Sequence, residues 1–346
     1  MDAVEVDGSQ GEGGGQILRT AVTFSVIGRV PVRVVKIRAG RGVPGLKRQH
    51  VSALRILASV FGGSVEGATE GSTTVSFVPG TPSLESYSVD MGTAASITLV
   101  LQAVVPAVAL SGSSLSLTLT GGTDVPWSPT FDYFQSVVLR GYRAIGIEAD
   151  ADSPRRGYYP RGGGQVTASI RPCSRLTPLD LTVRSDVKGA VVTSRCGMLP
   201  RSVAERQAQA ASEWLRRAGI KVEREEVSEE KSLSPGSSIL VSSTGPGLYI
   251  GADAVGARGK RAEEVGSGAA GSFASILASG ACLDANLADM LIPLLSFAHG
   301  RSQVMIPAVT PHLESGLHLA EQFTSCSWSA RREGRGVLVG ISPRSG

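Results

Sequence analysis

The sequence predicts an α+β protein whose large domain repeats one unit of helices and strands three times. The stretch after Val6-Asp7-Gly8 and the stretch after Val89-Asp90-Met91-Gly92 follow the same order of an apolar helix, a strand, a loop, a helix and further strands. A third, less regular copy occupies residues 283–341. Self-similarity of this kind indicates a repeated structural unit.

Each unit is expected to place two helices on a small sheet of four strands. In the first unit, hydrophobic periodicity predicts helices at 17–27 and 49–61 and strands at 32–37, 64–66 and 73–78. The second unit has helices at 94–110 and 130–144 and strands at 115–119, 147–149 and 166–170. The third has helices at 283–298 and 313–323 and strands at 303–306 and 336–341.

One interval does not fit this plan. Residues 181–276 alternate short strands, the first at 181–183, with amphipathic helices at 202–218 and 262–277. This alternation is typical of a small α/β domain. We therefore expect a large domain made of residues 1–180 and 277–346, with residues 181–276 inserted into its third unit.

Composition excludes some classes of protein. Aromatic residues make up 5% of the chain, so stacking platforms of the kind used by single-strand binders are not prominent. The net charge of +4 permits an anionic partner without requiring one. The four cysteines form no CxxC pair, which disfavours a zinc site or a disulfide framework. With neither a signal peptide nor a membrane span in its sequence pattern, the chain is expected to be cytoplasmic.

The stretch Asp7–Thr20 is unusually rich in glycine. Gly11, Gly13, Gly14 and Gly15 are separated only by Glu12, and an apolar helix follows directly. Glycines cluster where the backbone takes positive φ or approaches another group closely, and backbone N–H groups at a helix start bind anions. No Gly-Lys-Ser/Thr follows, so the stretch is not a Walker loop. A structural turn and a phosphate contact are equally compatible with it.

Pseudo-symmetry would bring the strand-to-helix loops of the three units to equivalent places, where they could line one cleft. The first loop is the most basic of the three. The loops offer Arg38, Arg41, Lys47, Arg48 and Gln49 in the first unit, Thr123, Asp124, Trp127 and Pro129 in the second, and His312, Glu314 and Ser315 in the third.

His312 differs from the other three histidines, which are expected to be structural or solvated. It follows Thr310-Pro311 and therefore stands near the start of a helix. A helix N-terminus disfavours the imidazolium ion, which keeps the ring neutral and nucleophilic, and it also attracts phosphate groups. The residues alone leave a nucleophile and a structural histidine as alternatives.

Three polar residues stand out elsewhere. Glu12, among glycines, could meet a divalent metal or remain a solvated loop acid. Asp289 lies on the helix predicted at 283–298, where a helix-surface charge is the simpler interpretation. Gln102 interrupts an apolar helix, so its amide needs a hydrogen-bond partner from the protein or from a ligand.

Four stretches of the chain together resemble the RNA 3′-terminal phosphate cyclase family. They read DGSQGEGGGQILRT at 7–20, IRAGRGVPGLKRQH at 37–50, LVLQAVVP at 99–106 with GGTDVPWSP at 121–129, and PHLESGLHLAEQF at 311–323. The match is collinear and spans nearly the whole chain. It implies a large domain of three repeats with an inserted thioredoxin-like domain.

The resemblance also implies a reaction. The family uses ATP and a divalent metal (Mg or Mn) to convert the 3′-terminal phosphate of an RNA to a 2′,3′-cyclic phosphodiester. The intermediates are histidyl-AMP and RNA(3′)pp(5′)A, and pyrophosphate and AMP are released. No membrane partner is expected, and the sequence is compatible with a homodimer.

Individual positions match functional residues of the family. His312 matches the nucleophile, and Glu12 matches the acid near the ATP phosphates and the metal. The positions that match adenylate contacts are Gln102, Pro129 and Asp289. The positions expected around the RNA phosphate and the triphosphate are Arg19, Arg38, Arg41, Arg48 and Gln49.

The sequence departs from the family pattern at three positions. Leu313 and Gly316 stand where polar residues usually follow the nucleophile, and Asn286 stands where an aromatic residue is common. The alternative function is that of a non-catalytic cyclase-like RNA-binding protein of ribosome assembly, but that branch lacks the histidine. A carboxyvinyl transferase would not explain the insertion.

Overall fold

The structure, a computed structural model, describes residues 3–11, 14–184 and 189–343 and arranges their strands in four separate four-stranded sheets. The strands are β1 (Val4–Asp7), β2 (Val32–Val35), β3 (Ser64–Glu66), β4 (Val75–Val78), β5 (Ser86–Asp90), β6 (Leu115–Gly121), β7 (Ala149–Arg155), β8 (Gly164–Ile170), β9 (Asp180–Leu181), β10 (Ala190–Gly197), β11 (Val222–Glu229), β12 (Gly236–Ser243), β13 (Gly251–Val255), β14 (Ser302–Ile306), β15 (Ser327–Glu333) and β16 (Gly336–Ser342). The helices are α1 (Gly15–Gly28), α2 (Arg48–Val60), α3 (Ile97–Leu110), α4 (Phe131–Tyr133), α5 (Leu139–Ala144), α6 (Ser202–Arg217), α7 (Ala262–Ala278), α8 (Ala285–Leu291) and α9 (Pro311–Thr324). The α+β class predicted from the sequence is confirmed.

Two predicted helices are interrupted. The helix expected at 130–144 contains a π-helical segment, Phe134–Val138, between α4 and α5. The helix expected at 283–298 ends as α8 and continues as a 3₁₀ turn, Pro293–Phe297. Pro293 has no N–H to continue the α-helical ladder, which accounts for the change at this point.

Three of the sheets share one strand order. In the sheets β1-β2-β4-β3, β5-β6-β8-β7 and β9-β14-β16-β15, the first two strands of each order are parallel and the other pairs are antiparallel. The strand expected at 181–183 is β9, and it pairs with β14 rather than with the strands that follow it in sequence. The sequence pattern did not show β15, because its side chains are mostly exposed and carry no apolar alternation.

One hydrophobic core joins these three sheets. It includes residues from each of them and from α3, which packs against α1 and α2. A helix that is apolar on all sides is stable only when it is buried, and most residues of α3 are fully buried. Ser96 caps this helix by accepting a hydrogen bond from the Leu99 amide.

The fourth sheet, β11-β10-β12-β13, has its own hydrophobic core under α6 and α7. Helix α6 buries Ala204, Ala208, Ala211 and Leu215, which lie on one helical face. The small side chains let α7 approach closely, and a Cβ at Gly266 would lie only 2.1 Å from the carbonyl oxygen of Gln207. The fourth sheet therefore has a core of its own, as an independent unit requires.

Buried polar contacts fix this fourth sheet against the remainder of the chain. Asp284, the N-cap of α8, accepts hydrogen bonds from the Tyr133 hydroxyl (2.6 Å) and from the Gly251 amide of β13 (2.9 Å). Burial raises the pKa of Asp284 to about 6, although these hydrogen bonds oppose the shift. The Thr130 amide donates to Asp253, also on β13, at 2.6 Å. These contacts hold β13 beside the loop that precedes α4.

A buried ion cluster supports the same loop. Arg156 donates to Asp124 (3.3 Å) and to Asp132 (2.8 Å), and all three side chains are at least 95% buried. Removing one partner of such a cluster would leave a buried charge uncompensated. The cluster therefore ties the loop of residues 121–129 to the segment that follows β7.

In the described part of the chain, no helix combines the length and apolar character that crossing a bilayer requires.

Candidate active site

Two cavities meet at His312. The first, here called the basic cavity, has a volume of about 820 Å³. The second, here called the second cavity, has a volume of about 550 Å³. Both volumes lie in the range of roughly 300–1,000 Å³ typical of ligand sites. The residues that line both cavities are Gln16, Arg19, Leu99, Trp127 and His312.

His312 is the second residue of α9, which confirms its predicted place at a helix start. The N-cap Thr310 accepts a hydrogen bond from the Leu313 amide through its side-chain oxygen (2.9 Å). The Thr310 hydroxyl in turn donates to Asp289, which is 8% exposed. Asp289 therefore fixes the first turn of the helix that carries His312, a role that the sequence did not predict.

The glycine-rich stretch lies against two helices at very short distances. A Cβ at Gly11 would lie 2.0 Å from Ser315 Oγ, and one at Gly15 would lie 1.9 Å from His50 Nε2. A Cβ at Gly14 would be 3.7 Å from His312 Cε1. Close packing explains why glycine occupies positions 11 and 15, since side chains there would collide with α9 and α2. Glu12 lies outside the described residues.

The cations predicted to bind phosphate line the basic cavity. Burial lowers the pKa of Arg19 to about 10, which still leaves its guanidinium charged near neutral pH. Arg38 donates to the carbonyls of Val43 and Gly45, both at 3.1 Å, so its loop holds the guanidinium in place. Arg48 pairs with Glu70 at 2.8 Å. The same cavity is also lined by Arg41, Lys47 and Gln49.

The second cavity contains the other predicted group. Gln102, Pro129 and Asp289 line it together, although they come from three distant parts of the sequence. Apart from Glu12, the structure thus gathers every predicted site residue around the two cavities. Their individual roles stay predictions.

Sequence reasoning missed several lining residues. Asp253 and residues 254–257 bring the fourth sheet to the second cavity, and Tyr159 lines the basic cavity. These residues reach the cavities because segments distant in sequence pack together, and no local sequence pattern predicts such packing. Gln16, whose amide donates to the Asp289 carbonyl at 3.5 Å, could have been found, since it belongs to the glycine-rich stretch.

The three departures from the family pattern have different consequences. Leu313 is fully buried, and a Cβ at Gly316 would lie 2.8 Å from Pro293 Cγ. Neither residue lines the basic or the second cavity. Asn286 is exposed and does line the second cavity, so of the three departures only this one changes the lining of the two large cavities.

The comparisons with known proteins identify the family. A family model described as RNA 3′-terminal phosphate cyclase matches residues 10–330. The chain belongs to the RNA 3′-terminal phosphate cyclase family. Proteins of that name from Caldivirga maquilingensis, Thermococcus gammatolerans and Methanopyrus kandleri are 40%, 43% and 40% identical to it. The alignments cover 98%, 96% and 99% of this chain, and the same shares of those proteins.

A solved structure was also matched. EPSP synthase from Acinetobacter baumannii aligns over 99% of this chain and 66% of its own, with 13% identity and a TM-score of 0.30. A structural likeness this low supports no conclusion about fold or function.

The buried His50 makes folding sensitive to pH. Burial, with Arg19, Arg38 and Lys47 nearby, lowers the pKa of His50 from 6.5 to about 3. The Lys47 amide donates to its Nδ1 at 3.0 Å, which requires that nitrogen to be unprotonated. Between pH 6.5 and 3 the unfolded chain therefore binds a proton that the folded chain refuses, and the stability contributed by neutral His50 falls as the pH falls.

We predict that His50→Gln weakens this pH dependence. The slope of the unfolding free energy between pH 4 and 6, measured by urea unfolding, should decrease by up to about 1.4 kcal/mol per pH unit, the value for one proton. Equal slopes for wild type and His50→Gln would show that His50 takes up its proton in the folded state.

Proposed function

We propose that this chain converts the 3′-terminal phosphate of an RNA to a 2′,3′-cyclic phosphate with the use of ATP. Family membership over nearly the whole chain supports this reaction. The single structural observation that supports it best is the position of His312, which lines both the basic cavity and the second cavity. A nucleophile placed there can receive a group in one cavity and pass it to an acceptor in the other.

In the first step, a neutral ring nitrogen of His312 attacks the α-phosphorus of ATP. A P–N bond forms, the bond to the β-phosphate oxygen breaks, and pyrophosphate leaves. Gln102, Pro129 and Asp289 are proposed to hold the adenylate in the second cavity. The positive end of α9 favours the anionic phosphate beside His312.

In the second step, an oxygen of the RNA 3′-phosphate attacks the phosphorus of histidyl-AMP, and the P–N bond breaks to restore His312. The product is RNA(3′)pp(5′)A. The terminal 2′-hydroxyl then attacks the RNA phosphorus, which closes the cyclic phosphate and expels AMP. Arg19, Arg38, Arg41, Arg48 and Gln49 are proposed to bind the phosphates, because guanidinium groups offset charge and orient oxygens.

A divalent ion (Mg or Mn) is proposed to enter as the complex with ATP. Among residues 3–11, 14–184 and 189–343, no group of three or more His, Cys, Asp or Glu side chains could hold a resident metal ion. The phosphates of ATP would then supply most of its ligands, and Glu12 is the proposed protein ligand. The ion would offset charge on the phosphates.

The architecture is proposed to follow the family as well. The strand order shared by three sheets supports a threefold repeat formed by residues 1–180 and 277–346. The separate core under α6 and α7 supports an inserted domain of residues 181–276, and its order of elements, β10-α6-β11-β12-β13-α7, fits a thioredoxin-like fold. We propose that the enzyme acts in the cytoplasm on RNA ends.

We predict that the protein labels itself with α-labelled ATP and a divalent metal. The adduct should be acid-labile and alkali-stable, as expected of a phosphoramidate. His312→Ala should reduce labelling to background because no nucleophile remains. His318→Ala, on the exposed side of the same helix, should label like wild type. Persistent labelling of His312→Ala would show that another residue is the nucleophile.

The acceptor can be tested with two RNAs that differ only at the 3′ end. With ATP, an oligoribonucleotide ending in 3′-phosphate should become resistant to phosphatase, because the cyclic diester has no terminal monoester. The same RNA ending in 3′-hydroxyl should be unchanged. A labelled adduct without any phosphatase protection would indicate a different acceptor.

A further inference from the structure

Two exposed aromatic side chains stand at the basic cavity. All eight Phe, six Tyr and three Trp residues of the chain lie in its described part, and only Trp127 and Tyr159 among them are exposed, at 96% and 66%. Both line the basic cavity, on the side formed by the second unit. In a chain with few aromatic residues, two exposed aromatic side chains at one cavity indicate that they bind a ligand.

The backbone that presents these side chains is fixed. The Thr123 amide donates to the Gly157 carbonyl at 2.9 Å, so the loop that carries Trp127 is joined to the segment that carries Tyr159. Below this junction, Arg156 pairs with the buried Asp124 and Asp132. The backbone that carries the two aromatic residues is therefore held in place and does not need to be ordered when a ligand binds.

Trp127 is held in an unfavourable state in two respects. Its φ of 63° lies in the left-handed region, which bulky residues rarely adopt. Its ring is almost fully exposed to water. The Ser128 hydroxyl donates to the Val125 carbonyl at 3.0 Å and stabilises this turn. Strain of this kind at the edge of a cavity is typical of residues retained for a ligand.

The chemistry of the basic cavity matches single-stranded RNA. Arg38, Arg41, Lys47 and Arg48 line the same cavity as the two aromatic rings. Cations that follow the backbone, combined with aromatic side chains on which bases stack, form the usual surface for single-strand binding. Stacking needs an unpaired base but tolerates any base, since every base has a π face.

We propose that Trp127 and Tyr159 stack on the bases of the last unpaired nucleotides of the RNA. This inference rests on the proposed function and extends it: the substrate is an RNA whose 3′ end is single-stranded, with little dependence on base identity. Trp127 lines both cavities and would take the base nearest the reacting phosphate. Tyr159 lines only the basic cavity of the two and would take a base further from it.

The test combines protein variants with altered RNAs. The variants are Trp127→Ala, Tyr159→Ala and Tyr159→Phe. Met198→Ala is the matched control, because Met198 is also exposed (61%) and left-handed (φ 50°) but lines neither cavity. The substrates are one oligoribonucleotide 3′-phosphate, the same RNA with its last two nucleotides abasic, and the same RNA in a blunt duplex.

The measured quantities are kcat/KM for cyclisation, KM for ATP and the yield of labelled adduct without RNA. For the intact RNA, each alanine variant should lose about 5- to 100-fold in kcat/KM, as expected for loss of one stacked base. Tyr159→Phe should retain most of it, and Met198→Ala should match wild type. On the abasic RNA, wild type should fall below either alanine variant on the intact RNA, because both stacked bases are missing, and the alanine variants should then react like wild type. The duplex should react poorly.

Three results would overturn the proposal. If wild type cyclises intact and abasic RNA equally well, the bases are not bound, although the proposed function stands. If Trp127→Ala raises KM for ATP and leaves kcat/KM for RNA unchanged, Trp127 stacks on the adenine of ATP instead. If wild type forms the adduct but cyclises none of the RNAs, the proposed function fails, and the stacking proposal fails with it.

Discussion

The site depends on the first turn of α9. Thr310 caps the helix, Asp289 accepts the hydrogen bond of the Thr310 hydroxyl, and His312 follows two residues later. This arrangement fixes the backbone of His312 at the positive end of a helix, where a neutral imidazole and a bound phosphate are both favoured. It also places His312 on the boundary of two cavities, and the proposed transfer of an adenylyl group requires that position.

Other contacts hold the segments that line the two cavities in place around His312. Glycines at 11 and 15 let the amino-terminal stretch approach α9 and α2 more closely than any side chain would allow. The Arg156 cluster holds the loop of residues 121–129, and Asp253 and Asp284 fix the fourth sheet beside it. Buried charges and buried polar groups at these places favour one arrangement, because any other would leave them unpaired.

Much of this could be predicted from the sequence, for physical reasons that differ between elements. Helix α3 was evident because a long apolar run, broken only by Gln102 and small hydroxyl residues, must be buried. The position of His312 was evident because it follows Thr310-Pro311, which mark a helix start. The basic loop was evident from its own run of arginines. Strand β15 was missed because its exposed residues show no alternation. Strand β9 was assigned to the wrong neighbours because its partner, β14, lies more than 100 residues later in the sequence.

For the candidate site too, the sequence did not predict features that depend on contacts between distant segments. Motifs singled out residues that stand out within their own segment, such as Arg38 in a basic loop and Gln102 in the apolar helix α3. They did not reveal Asp253 or Tyr159, whose places depend on how distant segments pack. They also gave no reason for Asp289 to bind the hydroxyl of Thr310, the N-cap of α9, since Asp289 lies on another helix, α8. Low aromatic content predicted no stacking surface, whereas the structure brings two exposed rings to one cavity.

The most direct test of the central claim follows the adenylyl group itself. The adenylylated protein can be isolated free of ATP and mixed in excess with an oligoribonucleotide 3′-phosphate in a single turnover. If His312 serves both cavities, the label should leave the protein and appear as AMP as the RNA becomes cyclic, at matching rates. Release of the label by pyrophosphate alone, with the RNA left unchanged, would contradict this account.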